Sequence, residues 1–298
     1  MSISSRLTEV FQEARRQPIP FDETSRVIFF SDCHRGDNSW ADEFGRNQTL
    51  YFFALEHYFK QGFTYIELGD GDELYKNKDF SEIRYAHSHV FWMIKRFYDA
   101  SPSRFYLIHG NHDMERADPQ VVADTLNYYI DDAGVKQPLF AGIQVYEGRV
   151  LKHMPTGGEI FLVHGHQGDP INDQYWKVGR FLSRTLWRPL QLFGITEPNS
   201  PAKNYKKRDA VEKQIQDWIR ATGQPMIFGH THKPSFAKEG EIPYFNTGSC
   251  VHPRCITGIE IQEGQIIMIK WWLAPDDDGR LCVTREELEP RRPVASLF

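Results

Sequence analysis

The stretch Phe29-Phe30-Ser31-Asp32-Cys33-His34-Arg35 decides how this chain reads. An apolar run, predicted as a strand over 26–31, ends abruptly in a carboxylate and an imidazole two residues apart. In extended backbone the side chains at i and i+2 point the same way. Asp32 and His34 are therefore expected to close on one cation where the strand runs out. Asp-x-His is common by chance, and four later segments give the pair its weight.

Those segments are Leu68-Gly69-Asp70-Gly71-Asp72-Glu73, Gly110-Asn111-His112-Asp113, Val163-His164-Gly165-His166 and Gly229-His230-Thr231-His232. Each closes a predicted strand: 64–68, 104–109, 159–164 and 225–229. Ligand sites of open α/β sheets gather at the carboxyl ends of strands, and the glycines let the backbone turn sharply there. Asp, Asn and His together offer hard oxygen and borderline nitrogen donors, a mixture suited to Mn²⁺, Fe or Zn²⁺ and poorly suited to Ca²⁺. A carboxylate shared by two cations about 3.5–4 Å apart allows a phosphoryl oxygen to be polarised and hydroxide to form between them.

Helical periodicity predicts helices at 4–17, 41–60, 80–100, 119–131, 171–193 and 205–221. Further strands are predicted at 141–154, 243–246, 257–262 and 265–273. Strands and helices alternate in the first half and strands dominate later. The fold class is thus α/β, a two-sheet β-sandwich flanked by α-helices. We read residues 1–298 as a single domain in which 170–208 is a helical cap insertion.

Taken together, the five segments resemble the motifs of the calcineurin-like metallophosphoesterases: D-x-H, G-D-x-x-(D/E), G-N-H-(D/E), H and G-H-x-H, in the family's order across residues 32–232. The resemblance implies a β-sandwich with flanking helices and two divalent metal ions, with manganese expected and iron or zinc as alternatives. By position, Asp32, His34, Asp70 and His232 would hold one metal, and Asp70, Asn111, His164 and His230 the other. His112 would be the general acid and Asp113 would fix its tautomer. The implied reaction is hydrolysis of a phosphomonoester or phosphodiester by in-line attack of bridging hydroxide.

His166 is an alternative to His164 as ligand, or else stands behind the ligands or touches substrate. Arg35 is a candidate phosphate clamp or a surface residue. Asp72 reads as a solvated turn residue, and His57, His87, His89, His109 and His153 as structural. His252 and Arg254 are candidate substrate contacts beside the site. In the insertion Lys177, Arg180, Arg184 and Arg188 recur along one helical face among Trp176, Leu182, Leu186, Trp187, Leu190 and Phe193, with Lys203, Lys206, Lys207 and Arg208 following. That stretch is either an ordinary helix packed on the sandwich with its charges in water, or a cap that would grip an anionic, partly apolar substrate through Arg180 and Arg184 or rest peripherally on an anionic membrane face. It also resembles the cap of the UDP-2,3-diacylglucosamine pyrophosphatases, which act on a lipid-linked diphosphate. Histidine at 112, where arginine is expected in that branch, counts against it.

Composition bounds the alternatives. Of 298 residues, 40% are hydrophobic and 25% charged, which is ordinary for a folded protein. A net charge of -5 gives no support for a stable nucleic-acid partner. No apolar run approaches the roughly 18 residues of a membrane span, residues 1–25 lack the pattern of a signal peptide, and four scattered cysteines make no disulfide framework. A reduced, cytoplasmic setting is expected, with a phosphorylated small molecule or lipid as substrate.

Overall fold

The computed structural model describes residues 2–169, 173, 175–187, 189 and 205–298, with the backbone alone at 178, 186 and 205–207. In chain order the strands begin with β1 (Ile19–Phe21), β2 (Val27–Phe30), β3 (Thr64–Leu68), β4 (Phe105–Ile108), β5 (Tyr128–Ile130), β6 (Lys136–Pro138), β7 (Val145–Tyr146) and β8 (Gly148–His153). They continue with β9 (Glu159–Val163), β10 (Met226–Phe228), β11 (Ser235–Phe236), β12 (Tyr244–Asn246), β13 (Cys255–Gln262), β14 (Gln265–Pro275), β15 (Leu281–Glu287) and β16 (Arg292–Pro293). The α-helices are α1 (Ile3–Ala14), α2 (Gln48–Lys60), α3 (Phe80–Ala86), α4 (Ser88–Ala100), α5 (Pro119–Thr125), α6 (Trp176–Leu182) and α7 (Tyr205–Thr222).

Two sheets face each other. One runs β1-β8-β9-β10-β12-β11, the other β15-β14-β13-β2-β3-β4-β7 with β16 on β14, and β5 pairs with β6 separately. The run Val-Ile-Phe-Phe of β2 is buried throughout because both faces of its sheet are covered. Phe29 packs between the sheets with Ile66, Leu162, Ile227 and Ile259. Its neighbours Ile28 and Phe30 point the opposite way, as pleating requires, into the layer built by α2 and α4. On the outer face of the other sheet, Phe161 and Val163 meet Leu7 and Phe11 of α1 and Trp218 of α7. The result is a four-layer α/β/β/α sandwich.

β2, β3 and β4 are parallel neighbours, so the segments that follow them emerge at one edge. β9 and β10 are likewise parallel and deliver the other two segments. Among the described residues no helix is long and apolar enough to cross a membrane, and all four cysteines are free.

Three expected helices differ. The one over 41–60 begins at Gln48, because the Asn47 side chain is drawn out to the carbonyls of Cys250, His252 and Cys255. The one over 80–100 is broken at His87, whose buried ring meets Asp42 at 2.7 Å. The one over 119–131 stops at Thr125, and Tyr128–Ile130 turns back as a hairpin strand.

Candidate active site

Five main-chain turns bring the candidate ligands together. The loop after β2 zips onto the loop after β3: the amides of Asp32, His34 and Arg35 donate to the carbonyls of Gly69, Asp70 and Gly71 at 3.1, 2.9 and 3.0 Å. Asp32 and His34 are not extended, contrary to expectation, but left-handed, with φ of 51° and 48°. They converge through this turn and not through a pleat. Asp70, His230 and His232 are also left-handed, at 51°, 66° and 56°. Strain of this kind, about 1–3 kcal/mol per residue, persists where the surroundings over-determine the geometry, typically at functional sites. At Gly110 close approach excludes a side chain, because a Cβ there would lie 2.1 Å from Asp70 Oδ1.

The candidate ligands form two groups, Asp32–His34–His232 and Asp70–His164–His230, each with ligand atoms within 4.8 Å of one another, and a third such group, His34–Glu73–His112, adjoins the first at the rim. In the first, His232 Nε2 is 3.0 Å from Asp32 Oδ1 and 3.2 Å from His34 Nε2. In the second, His164 Nε2 is 3.2 Å from Asp70 Oδ2, and the same oxygen is 3.7 Å from His34 Nε2. Asp70 therefore stands between the groups. The opposite atoms are already fixed: Asp32 Oδ2 accepts from His230 N at 2.9 Å, Asp70 Oδ1 from His112 N at 2.8 Å, and His164 Nδ1 faces Leu68 O at 2.8 Å.

What remains is a set of buried atoms with no hydrogen-bond partner: Asp32 Oδ1, Asn111 Oδ1, His164 Nε2 and His230 Nε2. Such orphans are costly, and their chemistry and convergence fit a pair of borderline divalent cations. The electrostatics agree. Burial pushes the Asp70 carboxyl up, but His164 and His112 outweigh it and hold it far below the usual range. Burial pushes His164 down, yet Asp70 and Asp32 raise it to about 9. Buried beside His164, His230 is pushed down to about 4. The carboxylates create a field that attracts positive charge.

His112 lies at the rim. Its Nδ1 is 2.8 Å from Glu73 Oε1, its ring is edge-on to His34 at 4.5 Å, and Tyr75 stacks on it at 4.5 Å. With Nδ1 facing a carboxylate, Nε2 is the nitrogen left to meet a substrate.

The family pattern of calcineurin-like phosphoesterases matches residues 25–234, about 70% of the chain. The chain belongs to the calcineurin-like phosphoesterase family. Members are metallophosphoesterases, hydrolases that in general depend on two metal ions. No curated protein matches the chain. Among solved structures it is similar to Chaetomium thermophilum Vps29, at 10% identity over 89% of this chain and 96% of that one, TM-score 0.37. It is also similar to a cold-active protein-tyrosine phosphatase of a psychrophilic Shewanella species, at 12% identity over 92% and 83%, TM-score 0.41.

Within this phosphoesterase several expectations need correction. Asp113 does not face His112. Adjacent side chains diverge, and its carboxylate accepts instead from the amides of Gly110 and Gly71 at 2.5 and 3.1 Å. Glu73 takes that place, and its position in G-D-x-x-(D/E) was the available signal. Arg35 neither clamps phosphate nor lies on the surface: it is 1% exposed and held by Glu67 and Asp72. Asp72, expected in solvent, is fully buried for the same reason. Arg184 donates Nε and Nη2 to the carbonyls of Tyr75, Leu74 and Asn77, so it clamps the insertion to the loop after β3. Arg180 crosses Trp176 and pairs with Glu115 at 2.6 Å.

His166 is buried against the rings of His164 and His230, and neither of its nitrogens has a partner. His252 is pushed down by burial and by neighbouring His232, whereas Arg254 is exposed. Arg188, Leu190, Phe193 and Lys203 lie outside the described residues, as do the side chains of Leu186, Lys206 and Lys207. Sequence reasoning missed Tyr75, and it missed the Ser31–Thr247 hydroxyl contact at 2.7 Å that props Asp32. Nothing in their spacing marks either.

Proposed function

We propose that this chain is a dinuclear metal-dependent phosphohydrolase of phosphomonoesters or phosphodiesters. The observation that carries the reading is the pair of ligand groups sharing Asp70 and ending in orphaned buried atoms. In this reading Asp32, His34, Asp70 and His232 hold one cation, and Asp70, Asn111, His164 and His230 the other. Manganese is the ion proposed. Bound there, two divalent cations would supply Lewis acidity toward a phosphoryl oxygen and would lower the pKa of a water.

The chain's own residues do the rest. His112 donates a proton from Nε2 to the departing oxygen, and Glu73 holds the ring and steadies the imidazolium from the other side. Tyr75 closes one face of that ring against water. The buried positions of Asp32, Asp70, His164 and His230 exclude bulk solvent from the ligand side of the site. Residues 170–208 are proposed as a cap; within its described residues Arg180 pairs with Glu115 and Arg184 reaches the Tyr75 carbonyl.

The test is metal content per chain together with p-nitrophenol release from p-nitrophenyl phosphate and from its bis ester. Two equivalents of bound Mn²⁺ with turnover of either ester is expected. A chain that takes up Mn²⁺ at neither group, or takes up both and cleaves neither ester, refutes the reading.

A further inference from the structure

Beneath the ligand loops lies a buried lattice of charge that the proposed reaction does not touch. Arg35 Nε donates to Asp72 Oδ1 at 2.6 Å, while Nη1 and Nη2 fork onto Glu67 at 2.7 and 2.8 Å. The other Asp72 oxygen accepts from Arg116. Arg116 Nη1 in turn lies 3.5 Å from Asp113 Oδ2, and Asp113 ties down the amides of Gly110 and Gly71. At the far end the Tyr65 hydroxyl donates to Glu67 at 2.6 Å and meets that of Tyr51. None of the five charged groups is more than 2% exposed.

Four of the five charged members are covalently close to a candidate ligand. Arg35 follows His34, Asp72 lies two residues past Asp70, and Asp113 and Arg116 follow Asn111 and His112. The loops press on the lattice: a Cβ at Gly71 would come within 2.0 Å of Glu67 Oε1 and 2.7 Å of Arg35 Nη2. A buried ion pair is poor evidence of stability, because desolvation offsets much of the attraction. Apolar side chains of similar volume could fill this space. What they could not supply is direction, which the planar guanidinium fork and its two-sided carboxylate do.

We infer that Arg35, Asp72 and Arg116 are positioning residues: their lattice locks the loops after β2, β3 and β4 in mutual register, so that Asp70, Asn111 and His112 reach the metal site at the right angles. The inference rests on the two-cation reading above. A contrast is built into the same sheet. Arg285 grips buried Glu260 at 2.8 and 2.5 Å, bonded like the lattice, but on β15 and β13, with no candidate ligand next to either residue.

The experiment compares Asp72→Asn, Arg35→Lys and the control Arg285→Lys with the parent. Mn²⁺ affinity is measured by calorimetry on chelator-stripped protein, kcat and KM on p-nitrophenyl phosphate, and folding by circular dichroism. Loss of outer-shell partners typically costs about 10–100-fold in metal affinity. That loss is expected for Asp72→Asn and Arg35→Lys, with kcat falling while KM holds, and not for Arg285→Lys. Parental Mn²⁺ affinity in folded Asp72→Asn and Arg35→Lys would overturn the inference. So would equal weakening in all three variants, or unfolding of the two lattice variants alone, since each assigns the lattice to stability only. A parent that binds no Mn²⁺ overturns the two-cation reading instead.

Discussion

Glu73→Gln isolates the role assigned to the carboxylate behind His112. Glu73 is 2% exposed and its Oε1 lies 2.8 Å from His112 Nδ1. Burial pushes its carboxyl up, but His112 and Lys76 outweigh that and hold it ionised well below the usual range. The amide keeps the shape and removes the charge. A hydrogen bond to a charged group contributes about 1.5–3 kcal/mol against about 0.5–1.5 for a neutral one. The difference of roughly 1–2 kcal/mol corresponds to about a 5- to 30-fold loss in kcat.

Loss of the acid itself, in His112→Ala, is expected to cost about 10²–10⁴ with metal retained, and that sets the ceiling. Assays on an alkyl phosphate should show the penalty in full, because alkoxide leaves poorly without a proton. p-Nitrophenyl phosphate should show much less of it. The double variant decides the route. If Glu73 acts through His112, adding Glu73→Gln to His112→Ala costs nothing further. Glu73 Oε2 also lies 3.4 Å from His34 Nδ1. A double variant markedly slower than His112→Ala, with metal lost, would place its effect on that ligand and refute the reasoning.

Mn²⁺ at about a hundred times its dissociation constant should add about 2.7 kcal/mol to the chelated chain. That is roughly 4 °C in melting temperature by calorimetry for a chain of this size, and no shift would count against ligation by Asp32, Asn111, His164 and His230. Asp70→Asn should remove activity together with at least one equivalent of metal, read by elemental analysis. Gly110→Ala, whose Cβ would lie 2.1 Å from Asp70 Oδ1, should abolish metal uptake, and a fully loaded variant would show the approach to be less tight than drawn. His57 is pushed down by burial, with Glu260 raising it and Arg285 lowering it. It stays neutral in the folded chain while the unfolded chain takes up a proton near pH 6.5, so stability is lost as pH falls through about that value. His57→Gln should flatten that part of the slope in denaturant midpoints.

The sheet strands nearest the site were legible because they are short apolar runs closed by a polar, glycine-bearing turn: 64–68 is found as read, and 159–164 ends one residue earlier, at Val163. Elements decided by tertiary partners were not. β15, with the sequence Leu-Cys-Val-Thr-Arg-Glu-Glu, is half-exposed and charged, and exists because β14 offers it an edge. The aromatic run Tyr128–Ile130 looked like the tail of a helix, yet pairing with Lys136–Pro138 wins. His87 breaks a helix that periodicity alone would continue, since the Asp42 that holds its ring lies 45 residues away.

At the site, residue type and spacing identified the side chains that meet, but not the way their charges are divided. Asp32, His34, Asp70, Asn111, His164, His230 and His232 all turn toward one space. Three more charged side chains from the same segments, Arg35, Asp72 and Asp113, and Arg116 just beyond them, turn away from it. A motif letter cannot make that distinction, because successive residues in a tight turn face opposite sides and either may carry the charge. In these loops the sorting follows from pairing. A group that finds an opposite charge in the protein interior, as Arg35 finds Glu67 and Asp72, is satisfied there. A group whose remaining atom meets no such partner, as with Asn111 Oδ1 and His230 Nε2, is left for a cation. Asp32, His34, Asp70, His230 and His232 are delivered to that space by left-handed turns. If Asp72→Asn let Arg35 swing out and the ligands bound metal undisturbed, the two halves of the site would be independent and this division of charge accidental.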